Sequence, residues 1–195
     1  MRDTWYIVIP PDENIVAGVG NLRRFSLIGG PGVRWVPVAT LHLTALYIGA
    51  ADDRVSEKFL DALSEVAAHT EPFTMECREV GYAPPREEPK TMLWLYFEAN
   101  EPWRALTKSL ARAFDSICTP ADTFLSDKRE GKDLYPHMTL MHLGEVVVPA
   151  SPRLRRSRFV GQELSVRTLE LVRDSPERKY QLRGMVQLRG PAVVH

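Results

Sequence analysis

Cysteine is scarce in this chain: Cys77 and Cys118 are its only two in 195 residues, and they lie far apart with no C-x-x-C spacing. A disulfide scaffold needs several pairs, and a zinc site needs three or four convergent ligands, so neither organises the chain. The pattern suits buried thiols in a reducing cytoplasm, which is the expected location. Long hydrophobic runs are missing too. No apolar stretch approaches the roughly 18 residues that span a bilayer, and the segment from Trp5 to Ile9 is only strand-sized. The opening Met1-Arg2-Asp3-Thr4 lacks the charged-then-apolar layout of a signal peptide. Excess charge is absent, with 25 Lys/Arg against 25 Asp/Glu, which makes the chain a poor general nucleic-acid coat. What remains, 44% hydrophobic and 26% charged with no low-complexity tract, is an ordinary globular composition. Its length fits one domain, or two small lobes sharing a core.

The balanced charge is unevenly placed. Residues 151–195 hold ten Lys/Arg and four Asp/Glu, whereas residues 1–150 hold fifteen and twenty-one. A basic C-terminal third serves either a phosphate-bearing ligand or a solvated strand and loop, and the two readings weigh equally.

Periodicity sets the order of elements. Residues 4–9 read as a strand stopped by Pro10-Pro11, and a helix follows from Asp12 or Glu13 to about Phe25, with Ile15, Val19 and Leu22 at helical spacing. Gly29-Gly30-Pro31-Gly32 is a loop too irregular to cradle phosphate. Residues 34–37 are a short extended piece and 41–48 a strand ended by Gly49. Residues 53–69 form the clearest helix, with Val55, Phe59, Leu63, Val66 and Ala67 on one face. Strands follow at 73–80 and 91–98, joined by a Pro- and charge-rich loop at 83–90. A helix opens at Asn100 or Glu101, with Pro102 in its first turn and Trp103, Leu106, Leu110 and Phe114 inward. A polar loop at 122–133 precedes a strand at 137–143. After the Arg-rich linker 153–158, residues 165–172 and 180–188 read as a closing strand pair. The fold class is therefore α+β with short sheets.

An internal echo stands out. Leu41-His42-Leu43-Thr44-Ala45-Leu46-Tyr47-Ile48-Gly49 aligns without gaps on Pro136-His137-Met138-Thr139-Leu140-Met141-His142-Leu143-Gly144. His, Thr and Gly coincide, and most other positions stay apolar, as a duplicated lobe requires. On a strand, residues i and i+2 share a face. His42 then sits beside Thr44 and His137 beside Thr139, while Leu43, Met138 and Leu140 turn to the core.

Two such strands side by side present two imidazoles and two hydroxyls, a set suited to a phosphodiester. One imidazole takes a proton from water and the other gives one to the leaving oxygen, both forms being accessible near the unperturbed pKa of about 6.5. The threonine hydroxyls donate to the non-bridging oxygens. With five His and eleven Thr, chance yields roughly 0.3 His-x-Thr matches per such chain. Two matches in strands, each with Gly at the same offset, are far more specific. The structural alternative is a pair of histidines satisfied by backbone partners.

Beyond the tripeptides, Val33-Arg34-Trp35-Val36-Pro37 before the first motif and Tyr135-Pro136 before the second complete a pattern. It resembles the two-histidine (2H) phosphoesterase superfamily, and within it the bacterial and archaeal RNA 2',3'-cyclic phosphodiesterases, historically called 2'-5' RNA ligases. The resemblance spans nearly the whole chain, although only the two motifs are specific. It implies a single bilobal, pseudo-twofold-symmetric domain over residues 1–195, with two short antiparallel sheets forming a central cleft and helices outside. It implies His42 as proton donor to the 3' oxygen, His137 as the base that activates water, Thr44 and Thr139 as phosphate holders, and a 2'-phosphate product. It also implies a reversible 2'-5' ligation activity. No cofactor or metal is expected, and a self-contained bilobal domain is expected to be a monomer.

The chain departs from the family in two places. Ala45 is smaller than the residue usual after the first threonine. Many relatives carry arginine three residues after the second threonine, where this chain has His142. Unless the chain turns there, strand parity points His142 away from His137. Among other residues, His69 at a helix end and the final His195 are structural or incidental. Trp35, Tyr82 and Tyr180 are aromatics that stack on a base or, more often, fill a core. Arg178 and Lys179, in the turn before Tyr180, are candidate secondary phosphate contacts, and Tyr180 and His142 candidate substrate contacts. The substrate expected is an RNA 3' end or a small nucleotide bearing a cyclic phosphate. The same site also suits 2'-5' oligonucleotides, cyclic dinucleotides or an ADP-ribose cyclic phosphate. An RNA-binding module without turnover is the third class, but it has no need of both imidazoles.

Overall fold

Strand segments of alternating polarity bury one face each, and the sheet they form is what positions the echo. The computed structural model describes residues 3–25, 32–83, 91–117, 135–144, 159, 161–175 and 180–190. Among these the order is β1 (Asp3–Ile9), α1 (Glu13–Phe25), β2 (Arg34–Trp35), β3 (Leu43–Ala51), α2 (Ser56–Ala68), β4 (Phe73–Ala83), β5 (Met92–Phe97), α3 (Glu101–Asp115), β6 (His137–His142), β7 (Glu163–Val166), β8 (Thr168–Asp174) and β9 (Gln181–Gln187). The strands lie in the order β7-β4-β5-β6-β3-β1-β8-β9, with β2 added to β6. Every pairing among them is antiparallel.

The expected pair of sheets is present, joined at the middle. β3 and β6, the two strands of the echo, meet through the single pair Leu43–Met138. Leaving β2 aside, four strands lie on each side of that seam, so the halves correspond as the repeat requires. The match extends to irregularities. In β3, Thr44 pairs with Val8 and Leu46 with Ile7, leaving Ala45 as an extra residue. In β6, Thr139 pairs with Trp94 and Met141 with Leu93, leaving Leu140 extra at the equivalent position. Each is a β-bulge that resets which face the following residues take.

Helices cover the opposite face. α2 packs on α3, β8 and β9, α3 also on β3, and α1 against β7. Trp5 meets Phe59 edge-on at 5.5 Å, and Phe59 meets Phe114 at 5.4 Å. Leu43, Leu46, Met138, Leu140 and Met141 are fully buried in the same core. Burial of each such side chain contributes about 1.5–3 kcal/mol. The helix starts follow their caps. Asp12 accepts the Ile15 N–H at 3.0 Å and the Ser165 N–H at 2.9 Å, so one carboxylate opens α1 and tethers β7. Asn100 accepts the Trp103 N–H at 3.1 Å and donates to the Thr74 carbonyl at 2.7 Å.

Three expectations are corrected. The single strand at 165–172 is two strands that break at Arg167. β7 pairs with β4 in one half, while β8 pairs with β1 and β9 in the other. At the crossing, the Arg167 carbonyl accepts the Leu188 N–H at 2.9 Å, and the buried alternation shifts by one residue, from Leu164 and Val166 to Leu169 and Leu171. The strand from Phe73 runs to Ala83, because its ladder with β5 continues to the Ala83–Met92 pair. The helix at 53–69 opens with a 3₁₀ turn over Asp53–Val55 before α2 begins. The loops at 29–31, 84–90 and 122–133, the linker 153–158, Cys118, Arg178, Lys179 and His195 lie outside the described residues. Buried Cys77 has its thiol pushed up to about 12, chiefly by burial and then by Asp12 and Glu76, so it is an inert core group. Among the described residues no helix is long and apolar enough to cross a membrane.

Part of the basic C-terminal third serves structure. Arg173 pairs with Asp3 and, at 3.2 Å, with Asp53, which Arg183 also reaches at 3.1 Å. Both guanidiniums tie β8 and β9 to the start of β1 and the turn before α2.

The glycines that end both copies of the echo are required by geometry. Gly49 and Gly144 have φ of +91° and +62°. A Cβ on Gly144 would also come within 3.2 Å of the Gly32 backbone, where the chain enters β2. Gly144→Ala is expected to lower stability by about 1–3 kcal/mol, measured by denaturant titration. An unchanged midpoint contradicts the close approach.

Candidate functional site

The burial pattern around the seam alternates as a two-faced strand demands. Leu41, Leu43, Met138 and Leu140 are buried, whereas His42, Thr44, His137 and Thr139 are half-buried on the other face. His42 lies just ahead of β3, in extended backbone that keeps the alternation. Continuing the Leu43–Met138 register by one residue each way sets His42 across from Thr139 and Thr44 across from His137. The two histidines are then diagonal neighbours, with Cα atoms about 7–8 Å apart. That spacing leaves room for a phosphate group between the rings. The four residues singled out from the sequence converge on one face.

Both rings are oriented by the same device. The His42 Nδ1–H donates to the Thr40 carbonyl at 2.7 Å, and the His137 Nδ1–H donates to the Tyr135 carbonyl at 2.7 Å. A carbonyl only accepts, so Nδ1 carries the proton in both rings and Nε2 is left for chemistry. In the neutral form each Nε2 is a base, and in the charged form an acid.

The surroundings of the two rings differ. His137 stacks on Trp94, with centroids 3.5 Å apart and planes 11° from parallel, and Tyr96 stands at 6.5 Å. Trp94 and Tyr96 come from β5, opposite Thr139 and His137 respectively. Burial pushes the Tyr96 phenol up to about 12, with Glu79 and Tyr135 adding to it. Gly81 makes room for that ring, since a Cβ there would meet it at 3.1 Å. His42 has Tyr180 at 5.3 Å instead. The Tyr180 hydroxyl donates to the Glu170 carboxylate; burial raises the pKa of Glu170, and this bond opposes the rise. Burial, then Glu170, raises the Tyr180 phenol. Tyr180 has a φ of +52°, the one positive value among the described non-glycine residues, at a cost of about 1–2 kcal/mol. Burial lowers the pKa of His42 below its ordinary value, and the Thr40 hydrogen bond offsets part of this.

His142 is the second place where strand parity misleads. The bulge at Leu140 buries Leu140 and Met141 together, and His142 emerges exposed on the face of His137 and Thr139. Burial and the neighbouring Arg34 both lower its pKa. Trp35 and Tyr82 pack against the core instead, and the His69 Nδ1–H donates to the Glu65 carbonyl at 2.9 Å at the end of α2. Trp94 and Glu170 were missed by sequence reasoning. The alternation of β5 would have placed Trp94 on one face, but only strand order shows that face to be the one carrying His137. No group of three or more His, Cys, Asp or Glu among the described residues is arranged to hold a metal ion.

Comparison with known proteins agrees with this geometry. A family model described as the 2'-5' RNA ligase superfamily matches residues 10–176. The RNA 2',3'-cyclic phosphodiesterase of Bacillus subtilis (strain 168) is 26% identical over 140 residues, which is 72% of this chain and 71% of that protein. Among solved structures, TT0787 of Thermus thermophilus superposes with a TM-score of 0.70 at 23% identity, covering 96% of this chain and 98% of that one. E. coli LigT complexed with 3'-AMP superposes at 0.64 with 19% identity, covering 96% and 99%. LigT has also been crystallised with NADP+. With both histidine motifs inside a match that spans most of its length, the chain belongs to the 2'-5' RNA ligase superfamily of two-histidine phosphoesterases.

Proposed function

We propose that this protein hydrolyses 2',3'-cyclic phosphates of RNA ends or nucleotides to 2'-phosphates by general acid–base catalysis between His42 and His137. The observation that carries this is the matched pair of imidazoles, each fixed through Nδ1 to a carbonyl two residues back at 2.7 Å. The relative named as an RNA 2',3'-cyclic phosphodiesterase and the nucleotide complexes of LigT support the substrate class.

In the reaction, His137 Nε2 takes a proton from water as the water oxygen bonds to phosphorus. The bond from phosphorus to O3' breaks, and His42 Nε2–H gives its proton to O3'. Thr44 and Thr139 donate to the non-bridging oxygens as charge gathers there. The flanking groups fit these roles. As His137 becomes an imidazolium, the indole face of Trp94 stabilises it by cation–π attraction of about 0.5–2 kcal/mol. His42, with its lowered pKa, is a strong acid once protonated. Trp94→Leu is expected to lower kcat by about 2- to 30-fold, measured on a cyclic mononucleotide. An unchanged kcat removes Trp94 from the mechanism.

A panel of 2',3'-cyclic nucleotides, 2'-5' dinucleotides, cyclic dinucleotides, an ADP-ribose cyclic phosphate and RNA 3' ends, assayed in excess EDTA, tests the proposal. Opening of the cyclic phosphates with a 2'-phosphate product is expected. Cleavage of one of the other substrates alone moves the site to that substrate, and loss of activity on chelation overturns the metal-free mechanism. Tight RNA binding without turnover makes the protein a binding module. Formation of 2'-5' linkages uses the same groups with a 5'-hydroxyl in place of water: its oxygen bonds to phosphorus as His137 takes its proton, the bond to O3' breaks, and the reverse step cleaves the linkage. We place this activity in a monomeric, cytoplasmic protein of one bilobal domain.

A further inference from the structure

β2 is only two residues long, yet it is firmly placed. Arg34 pairs with His142 and Trp35 with Met141 on β6, and the Val36 N–H donates to the Leu140 carbonyl at 2.9 Å. Trp35 and Met141 face the core. Arg34 and His142, one residue further, therefore share the opposite face. The bulge at Leu140 makes that face the one carrying Thr139 and His137. Met92, the β5 residue across from His142, completes the patch and brings no charge. The β6 side of the site thus reads His137, Thr139 and His142 in sequence, with a guanidinium beside the last.

Among the described residues that guanidinium has no carboxylate partner. Asp3, Asp53 and Glu98 neutralise Arg173, Arg183 and Arg78. Arg34 itself is exposed. Its charge nonetheless reaches His142, whose protonated form it disfavours. Along the strand the patch lies three residues from Thr139, about 7–10 Å once the bulge is allowed for. A ligand whose first phosphate sits between the threonines reaches that far with a single nucleoside unit. An arginine fork beside an imidazole is a donor set for phosphate oxygens, and a fork recognises them in pairs.

We propose that Arg34, with His142 beside it, forms a second anion subsite that takes another phosphate of the ligand, one nucleoside away from the phosphate held by Thr44 and Thr139. The proposal rests on the cyclic phosphodiesterase reading of the central site. The second phosphate comes either from the preceding linkage of an RNA chain or from a 5'-phosphate on a mononucleotide. In both cases the chemistry recognised is the same.

Equilibrium binding separates the subsite from turnover. Adenosine 2'-monophosphate, adenosine 2',5'-bisphosphate and a dinucleotide ending in a 2'-phosphate are titrated into wild-type protein, Arg34→Ala and Arg34→Lys. In wild type one or both two-phosphate ligands are expected to bind about ten-fold tighter than the monophosphate. In Arg34→Ala that ratio is expected to fall to near one, and in Arg34→Lys to an intermediate value, because charge is kept and the fork is lost. Tightening confined to the dinucleotide assigns the subsite to RNA, and tightening confined to the bisphosphate assigns it to a 5'-phosphate. A ratio near one in wild type, or one unchanged by Arg34→Ala, overturns the proposal. Because Arg34 is exposed, both variants are expected to keep the wild-type circular dichroism spectrum, which confirms that any lost ratio reports the contact. Should ratios behave as expected while no cyclic phosphate is opened, the subsite stands and the catalytic reading falls.

Discussion

His42→Ala and His137→Ala are each expected to lower turnover of a 2',3'-cyclic nucleotide by about 10²–10⁴-fold while leaving the fold intact. The size follows from what each ring supplies. Without His137, water must attack with its proton in place; without His42, O3' must leave as an alkoxide. Intact folding follows from position, because both rings lie on the face away from the hydrophobic core. The carbonyl bonds they make, from His42 to Thr40 and from His137 to Tyr135, are local, spanning two residues. The double variant is expected to be little worse than either single one, since acid and base act in one concerted event and their losses do not multiply. Thr44→Ala and Thr139→Ala are expected to lose less, about 10–10³-fold, because water or the other hydroxyl partly replaces a neutral donor. Single-turnover kinetics with circular dichroism as the folding control decides the matter. A histidine variant that keeps a tenth of wild-type activity excludes that ring from proton transfer.

How much of this site was legible in the sequence depends on the range of the interaction involved. His42, Thr44, His137 and Thr139 could be placed because strand alternation is local and the echo marks two equivalent strands. Helix starts at Asp12 and Asn100 were legible for the same reason, the cap being made within three residues. Strand parity failed at His142 because a bulge depends on the partner strand: the extra residue is visible only as a mismatch between Thr139–Trp94 and Met141–Leu93. Residues 165–172 misled in a similar way, since Leu164, Val166, Leu169 and Leu171 are all fully buried on either side of the break. The one-residue shift in that alternation marks a break at Arg167, but which strands pair on either side of it is not written in the pattern. Trp94 and Glu170 were invisible as site residues because strand order, which no single segment encodes, brings β5 beside β6 and β8 beside β1. The near-symmetry of the motifs also hid the asymmetry that matters for chemistry. One ring has an indole beneath it, and the other has a half-buried phenol–carboxylate pair beside it.

That asymmetry leads to the second large effect, in the pH dependence. Burial lowers the pKa of His42 in the free protein below the ordinary value of 6.5. If His42 is the acid, it must be protonated, and kcat/KM reports its free-protein pKa. Above that value, and once His137 is neutral as well, kcat/KM is expected to fall about ten-fold per pH unit. A bound phosphodiester brings negative charge beside the ring and favours the imidazolium, which raises the pKa of His42 in the complex. The basic limb of kcat, which reports that complex, is therefore expected at a higher pH than the limb of kcat/KM. The opposite role gives the opposite sign. Were His42 the base, its lowered pKa would place an acid limb below 6.5, and any basic limb would belong to another group. Folding must be followed in parallel at the acid end. With a folded pKa below the unfolded one, the neutral ring contributes stability fully above about 6.5, and that contribution is lost as the pH falls through the folded value. A basic limb in kcat/KM that moves upward in kcat, and vanishes from the residual rate of His42→Ala, assigns the departing proton to His42. A limb that survives in His42→Ala assigns it elsewhere.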